Sequence, residues 1–354
     1  MNSIIAHSQM HKDKNLPFVL FRKPNSEKLF GIFQKSKDLF FSKNLKETGF
    51  VFAPFNNLEE SILFPEYQTE IKSEHIKDFS VQTNNSKSIQ QNLENDQKHF
   101  ESLVEQSINA IKKGLFQKVV VSRINDLHTD EFDLFSSFQN ALHSYPNAFV
   151  YLWYHPKVGT WLGATPERLV EVNGTSYRTV ALAGTISETD FKSSNWSSKE
   201  ILEQKIVADY ILEELNPISG EIFIGDSGTT RAGNLYHLKS SIHGRLNNEM
   251  KLIDLVSKLH PTPAVGGFPK EEAISFILKN EGYNRSFYSG FLGMINSQDH
   301  DRVNSELFVN LRCMEIFSSS VRLYAGCGIT RDSIPHKEWL ETVNKMKTMQ
   351  AILA

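Results

Sequence analysis

Short Phe-rich runs alternate with polar punctuation over the first sixty residues. PFVLFRK, KLFGIFQK and GFVFAPF lie between residues 17 and 63, are bounded by Asn, Ser, Lys and Gly, and predict short strands. From about Tyr67 to Gln97 the chain turns polar, with QTNNSKSIQQN at its centre, and predicts a surface excursion. The period then lengthens. Phe100, Leu103, Val104, Ile108 and Ile111 share one face of a helix that ends at Gly114. Gln117–Ile124 returns to a strand, with Lys118, Val120 and Ser122 on one side and Val119, Val121 and Arg123 on the other. A helix over Phe132–Ser144 precedes three strand-like runs, FVYLWYHP, TWLGATPERLVEVNG and SYRTVALAGTIS.

Ser198–Leu215 has the pattern of a long amphipathic helix, and GEIFIGDS and LYHLKSSIHGRL that of two further strands. MKLIDLVSKLH predicts a helix running into HPTPAVGGFP, whose prolines and glycines oppose regular structure. EEAISFILKNE predicts a short helix, and FYSGFLGMIN and ELFVNLRCMEIF two strands. The stretch Leu323–Lys347 begins as a strand, runs into Gly326-Cys327-Gly328 and a polar loop to Pro335, and ends in a charged helix. Many strands with helices in irregular order, and no solenoid repeat, predict an α+β architecture with large, mostly antiparallel sheets.

Composition narrows the class. The 354 residues are 40% hydrophobic and 22% charged with 25 Phe, enough apolar material for a sizeable core. A net charge of -3 without blocks of like charge argues against nucleic acid or an anionic membrane as the main partner. Two cysteines, Cys313 and Cys327, are too few for a disulfide framework. The N-terminal stretch has no apolar signal core, so a cytoplasmic protein is expected. The surface pattern leaves monomer and homodimer open.

Candidate chemistry gathers on two helices. Glu200/Glu203 and Glu338/Glu341 are two i, i+3 carboxylate pairs, and Lys345 continues the face of the second. Exposed Glu pairs are common on ordinary helices; two together beside a glycine loop at Gly326-Cys327-Gly328 also suit an oxygen-rich Mg²⁺ site. Lys118 is either a strand-edge lysine or a desolvated base, since burial disfavours the ammonium form. Glu167 follows a proline at a strand bend and is either a general acid or a solvated turn residue. His237, between Tyr236 and Leu238, has the setting of a satisfied core histidine. HPTPAVGG is either a site wall or a rigid connector.

KVVVSR (118–123), GATPERLV (163–170), ALAGTIS (181–187), SKEILEQKIVADYI (198–211), HPTPAVGGFP (260–269), FYSGFLG (287–293), LFVNLRCMEI (307–316) and LYAGCGITRDSIPHKEWLETVNK (323–345) together resemble the chorismate-utilising enzymes. The resemblance covers residues 100–354 and is weak over 1–99, which are expected to be strands of the same fold in a single 1–354 domain. It implies two large antiparallel β-sheets packed together with helices outside, and an active site beside the sheets. It implies Glu203 and Glu341 as direct Mg²⁺ ligands, with Glu200 and Glu338 holding the metal's waters. It further implies that Arg312, Lys345 and the N–H groups of Gly326 and Gly328 grip the carboxylates of chorismate. Tyr288, His237 and the Ala183-Gly184-Thr185 turn would line the cleft.

Among members of that family the expected activity is isochorismate synthesis, feeding menaquinone or siderophore routes. Lys118 would activate water for attack at C2, and Glu167 would protonate the departing C4 hydroxyl. Relatives that use ammonia lack a lysine at the position of Lys118. Aminodeoxychorismate synthases carry a lysine where Ala183 stands, and salicylate synthases a threonine where Ala264 stands. Salicylate synthesis is the alternative, and a non-catalytic chorismate-binding protein a further one. Gln204 departs from the family's usual histidine, and tuning of the site rather than its loss is expected there.

Overall fold

The computed structural model describes residues 3–56, 60–76, 93–129, 132–187, 196–232, 235–299 and 302–354. The hydrophobic runs become two antiparallel sheets. One is nine-stranded, in the order β15-β7-β19-β18-β9-β8-β1-β2-β6, and contains β1 (Phe18–Arg22), β2 (Lys28–Gln34), β6 (Thr69–His75), β7 (Lys118–His128), β8 (Phe149–His155), β9 (Gly159–Thr165), β15 (Gly267–Phe268), β18 (Cys313–Ile316) and β19 (Ser320–Ile329). The other is ten-stranded, in the order β12-β14-β11-β10-β17-β16-β4-β5-β3 with β13 on β14. Its strands are β3 (Phe40–Ser42), β4 (Gly49–Ala53), β5 (Ser61–Pro65), β10 (Arg168–Asn173), β11 (Ser176–Ser187), β12 (Ser219–Ile224), β13 (Gly228–Ala232), β14 (Leu235–Leu246), β16 (Phe291–Asp299) and β17 (Arg302–Val309). The strands of the first hundred residues are divided between both sheets.

The described helices are α1 (Ile4–Asp13), α2 (Leu93–Lys112), α3 (Leu134–Ser144), α4 (Ser198–Leu215), α5 (Leu252–Leu259), α6 (Lys270–Asn280) and α7 (Pro335–Gln350). They explain why FVLFR and FVYLWYH are apolar without alternation: these strands are covered on both faces. Val19, Phe21, Phe149, Tyr151, Trp153 and Trp161 point between the sheets and meet Phe50, Phe52, Phe64 and Phe308. Phe18, Leu20, Val150 and Leu152 point outward, against α1, α3 and the end of α7. Val207, Ile211 and Leu215 of α4 and Leu255, Val256 and Leu259 of α5 cover the ten-stranded sheet.

Several predicted elements change. ELFVNLRCMEIF is two strands: β17 ends at Val309 in one sheet, and β18 begins at Cys313 in the other. The chain also changes sheet between β9 and β10, at Pro166-Glu167. Gly326-Cys327-Gly328 belongs to β19, paired with Ser122, Val121 and Val120, and is no loop. Gly267-Phe268 of HPTPAVGGFP pairs with Val119 and Lys118. Thr69–His75, within the predicted surface excursion, is an edge strand on β2, whereas 77–92 lie outside the described residues. Helix α1 has no counterpart in the sequence pattern, because after Ile4 and Ile5 the segment is almost wholly polar; its start is capped by Ser3, whose Oγ accepts from Ala6 N at 3.2 Å.

Candidate active site

The changes of sheet at 166–167 and 310–312 each deliver a polar side chain to the same cavity. The two crossing segments are tied together: Val309 N donates to Glu167 O (3.0 Å), Ala164 N to Arg312 O (2.9 Å), and Thr165 Oγ1 to Val309 O (2.6 Å). Asn310, fully buried, accepts from Tyr151 Oη (2.6 Å) and donates to Phe287 O (2.9 Å). Arg312 sits at φ +47, and its Nη1 donates to Thr348 Oγ1 at 3.2 Å. A tight turn with a left-handed residue thus aims the guanidinium at the seam between the sheets.

The cavity there has a volume of about 80 Å³, and Lys118, Glu167, Ala183, Gly184, Thr185, Glu203, His237, Ala264, Tyr288, Arg312, Gly326, Gly328, Glu341 and Lys345 line it. Of the residues expected from sequence, only Glu200 and Glu338, the two that the resemblance sets behind a metal, are absent from this wall. Lys118 reaches it from β7 because Val119 and Val121 face the core beneath α2 and α6. Ala183-Gly184-Thr185 is a bulge within β11, where Gly184 at φ +73 shifts the register and Thr185 pairs with His237. Tyr288 stacks on Tyr324 with ring centroids 5.2 Å apart.

The glycines of β19 have a positional reason. A Cβ on Gly328 would lie 1.8 Å from Glu203 Oε1 and 2.9 Å from Lys118 Cε. β18 pairs with β19 only at Val321, Arg322 and Leu323, so that edge of β19 is open from Tyr324 onward. Ser122 N and Val120 N, opposite Gly326 and Gly328, donate away from β19, to Glu281 Oε1 and Gly266 O. In an antiparallel ladder the facing residues then also point outward, so the N–H groups of Gly326 and Gly328 lie on the open edge.

Burial sets the protonation states. Glu167 is 6% exposed, and desolvation raises its carboxyl to about 7 against the pull of Lys118, Lys345 and Arg312. His237 is driven down to about 3 by burial and by Arg312 and Lys345. Its Nδ1 faces Gly184 O at 3.0 Å, so Nδ1 carries the proton; buried Nε2 has no partner among the described residues and is left as an acceptor.

The acidic end is built as ion pairs. Lys118 Nζ lies 3.3 Å from Glu203 Oε1. Lys345 Nζ donates to Glu341 Oε1 (2.6 Å) and Gly326 O (2.9 Å). Lys199 Nζ donates to Glu338 Oε1 at 2.7 Å. Burial raises the Glu341 carboxyl, but Lys345 and Lys199 outweigh it and leave it below the usual range. Burial and the neighbouring carboxylates Glu341 and Glu203 push Glu338 up to about 7, despite Lys199. Glu200 is placed differently from expectation. Its carboxylate turns back to the start of α4, accepting from Ser197 N at 3.1 Å in a capping box, and its Cβ packs on Gly184.

Among the described residues no three His, Cys, Asp or Glu side chains converge as metal ligands, because each of these carboxylates holds a lysine. The donor set still fits a hard divalent cation. It is all carboxylate oxygen, Glu338 Oε2 is buried without a partner among the described residues, and Lys199 feels Glu338, Glu341 and Glu203 together. Lys199 was not singled out from sequence, although i, i+4 spacing from Glu203 on a helix is a usable signal. Gln204, buried beside Glu203, donates to Ser240 Oγ at 2.9 Å.

A seam between two large antiparallel sheets, holding a buried amine, a buried carboxyl and a three-carboxylate end, is the candidate active site. A family model described as chorismate binding enzyme matches residues 52–354, and the chain belongs to that family. It is 30% identical over 268 residues to the salicylate biosynthesis isochorismate synthase of Pseudomonas aeruginosa, covering 73% of this chain and 55% of that protein. It is 32% identical over 260 residues to isochorismate synthase MenF of Bacillus subtilis, covering 71% and 54%. The matched region thus spans about half the length of these relatives. The crystal structure of DhbC from Bacillus anthracis has the same fold, with a TM-score of 0.80 at 23% identity over 98% of either chain.

Proposed function

We propose that the chain is a Mg²⁺-dependent isochorismate synthase. The observation that carries this is Lys118 and Glu167 buried at one cavity, with the Glu167 carboxyl held near 7. The names of the relatives, isochorismate synthases, agree with it.

Lys118 takes a proton from water as its oxygen bonds to C2 of chorismate. The ring double bond shifts, the C4–O bond breaks, and Glu167 protonates the departing hydroxyl. A carboxyl near 7 is a proton donor at neutral pH where an ordinary glutamate is not. Arg312 and Lys345, with the open-edge N–H groups of Gly326 and Gly328, hold the substrate's carboxylates; the fork of Arg312 suits a bidentate grip. Mg²⁺, held by Glu203 and Glu341 with Glu338 behind them, would supply positive charge that fixes the ring carboxylate. His237 Nε2 accepts from a ring hydroxyl, and Ala183 and Ala264 bring no polar side-chain atom to the wall.

The deciding experiment is incubation with chorismate and Mg²⁺, with and without ammonium, and chromatographic identification of products. Isochorismate is expected under both conditions. Salicylate with pyruvate as the main product would assign a salicylate synthase, an aminated ring an ammonia-using enzyme, and binding without product a non-catalytic protein.

A further inference from the structure

Three glutamates and three lysines meet one to one at the acidic end of the cavity: Glu203 with Lys118, Glu341 with Lys345, and Glu338 with Lys199. The proposed reaction employs two of these lysines, one as base and one on a substrate carboxylate. Lys199 has no part in it, yet its side chain is only 20% exposed and its partner's 2%. We propose that Lys199 is a resident counter-charge that makes Mg²⁺ and the dicarboxylate substrate bind as a pair; this rests on the Mg²⁺-dependent function proposed above.

The arrangement of charge gives the reason. Lys199 Nζ bonds Glu338 Oε1 and lies near Glu341 and Glu203, so a lone Mg²⁺ is opposed by an ammonium already held among the carboxylates, and a lone dianion faces those carboxylates without a metal to offset them. The two ligands together leave less charge unbalanced than either alone. In a site of low effective dielectric such an imbalance weakens each ligand alone far more than it does in water. The coupling is reciprocal: whatever Mg²⁺ adds to substrate affinity, substrate adds to Mg²⁺ affinity. The ion pairs also explain why the carboxylates do not converge as they stand. Glu338 Oε1 is taken by Lys199, and only its Oε2 is left without a partner among the described residues.

Lys199→Met removes one positive charge and keeps most of the stem's bulk. By calorimetric titration of the full chain, Mg²⁺ alone is expected to bind about tenfold more tightly than to wild type. Chorismate alone, without metal, is expected to bind more weakly. Opposite shifts are the mark of a charge effect, since damage to the fold weakens both. Lys199→Arg, which keeps the charge, should hold both affinities near wild type and covers the case in which Lys199→Met does not fold. Shifts of the same sign in Lys199→Met, no shift in Mg²⁺ affinity, or an arginine variant that behaves like a neutral one would each overturn the assignment. Absence of Mg²⁺ binding to wild type would remove the metal-dependent function itself, a result distinct from those three.

Discussion

Glu167 and His237 are both sealed from solvent, and burial moves them in opposite directions, one carboxyl up to about 7 and one imidazole down to about 3. Near pH 7 the imidazole is thereby a neutral acceptor, while the carboxyl still carries its proton in a large fraction of molecules and can donate it. Because the folded value of Glu167 lies above its ordinary 4.5, the stability it contributes is complete below 4.5 and is lost as pH rises through about 7. Glu167→Gln should therefore abolish conversion of chorismate. In thermal melts it should also gain on wild type across that window, by an amount on the order of 3 kcal/mol at alkaline pH. Wild-type turnover should fall as pH rises above about 7, when the acid has lost its proton. Lys118→Ala should lose turnover while still binding chorismate in a calorimetric titration; normal turnover would remove the base assignment. Alternation along QKVVVSRI already put Lys118 opposite the core-facing valines, so its direction was legible. The direction of Glu200 was not, because a glutamate three residues after Ser197 serves a capping box as readily as a metal.

At the level of elements, period and punctuation marked most strands and helices, and the errors that bear on the cavity fall at the seam. No residue in ELFVNLRCMEIF announces a break, since Asn310 ends β17 through partners distant in sequence, Tyr151 and Phe287. The glycines of LYAGCG suggested a loop, whereas they are strand positions where neighbouring side chains leave no space for a Cβ. Gly328→Ala tests that account. A methyl there collides with the Glu203 carboxylate and the Lys118 stem, so the variant should fold with near-normal circular dichroism but lose at least an order of magnitude in kcat/KM, about 1.4 kcal/mol or more. Normal kinetics would mean that Glu203 has room to move aside.

Across the whole molecule the aromatic core joins the two sheets. Phe52 lies near its centre, stacked on Phe287 at 4.2 Å and edge-on to Trp153 and Trp161 at 5.1 and 6.0 Å. Phe52→Ala should cost about 3–5 kcal/mol in denaturant unfolding, from lost burial and the cavity left behind. The abundance of Phe was visible in the sequence, but which rings meet between the sheets depends on a strand order that joins residues far apart in the chain. That order also has a mechanical consequence. The chain passes from one sheet to the other at Pro166-Glu167 and again at 310–312, so the walls of the cavity are stitched together by covalent backbone at the seam. A clamshell motion would have to flex both crossings at once. Rotating side chains are therefore expected to admit the proposed substrate, and small-angle X-ray scattering should give the same radius of gyration with and without chorismate. A measurable contraction on binding would show that the seam opens after all.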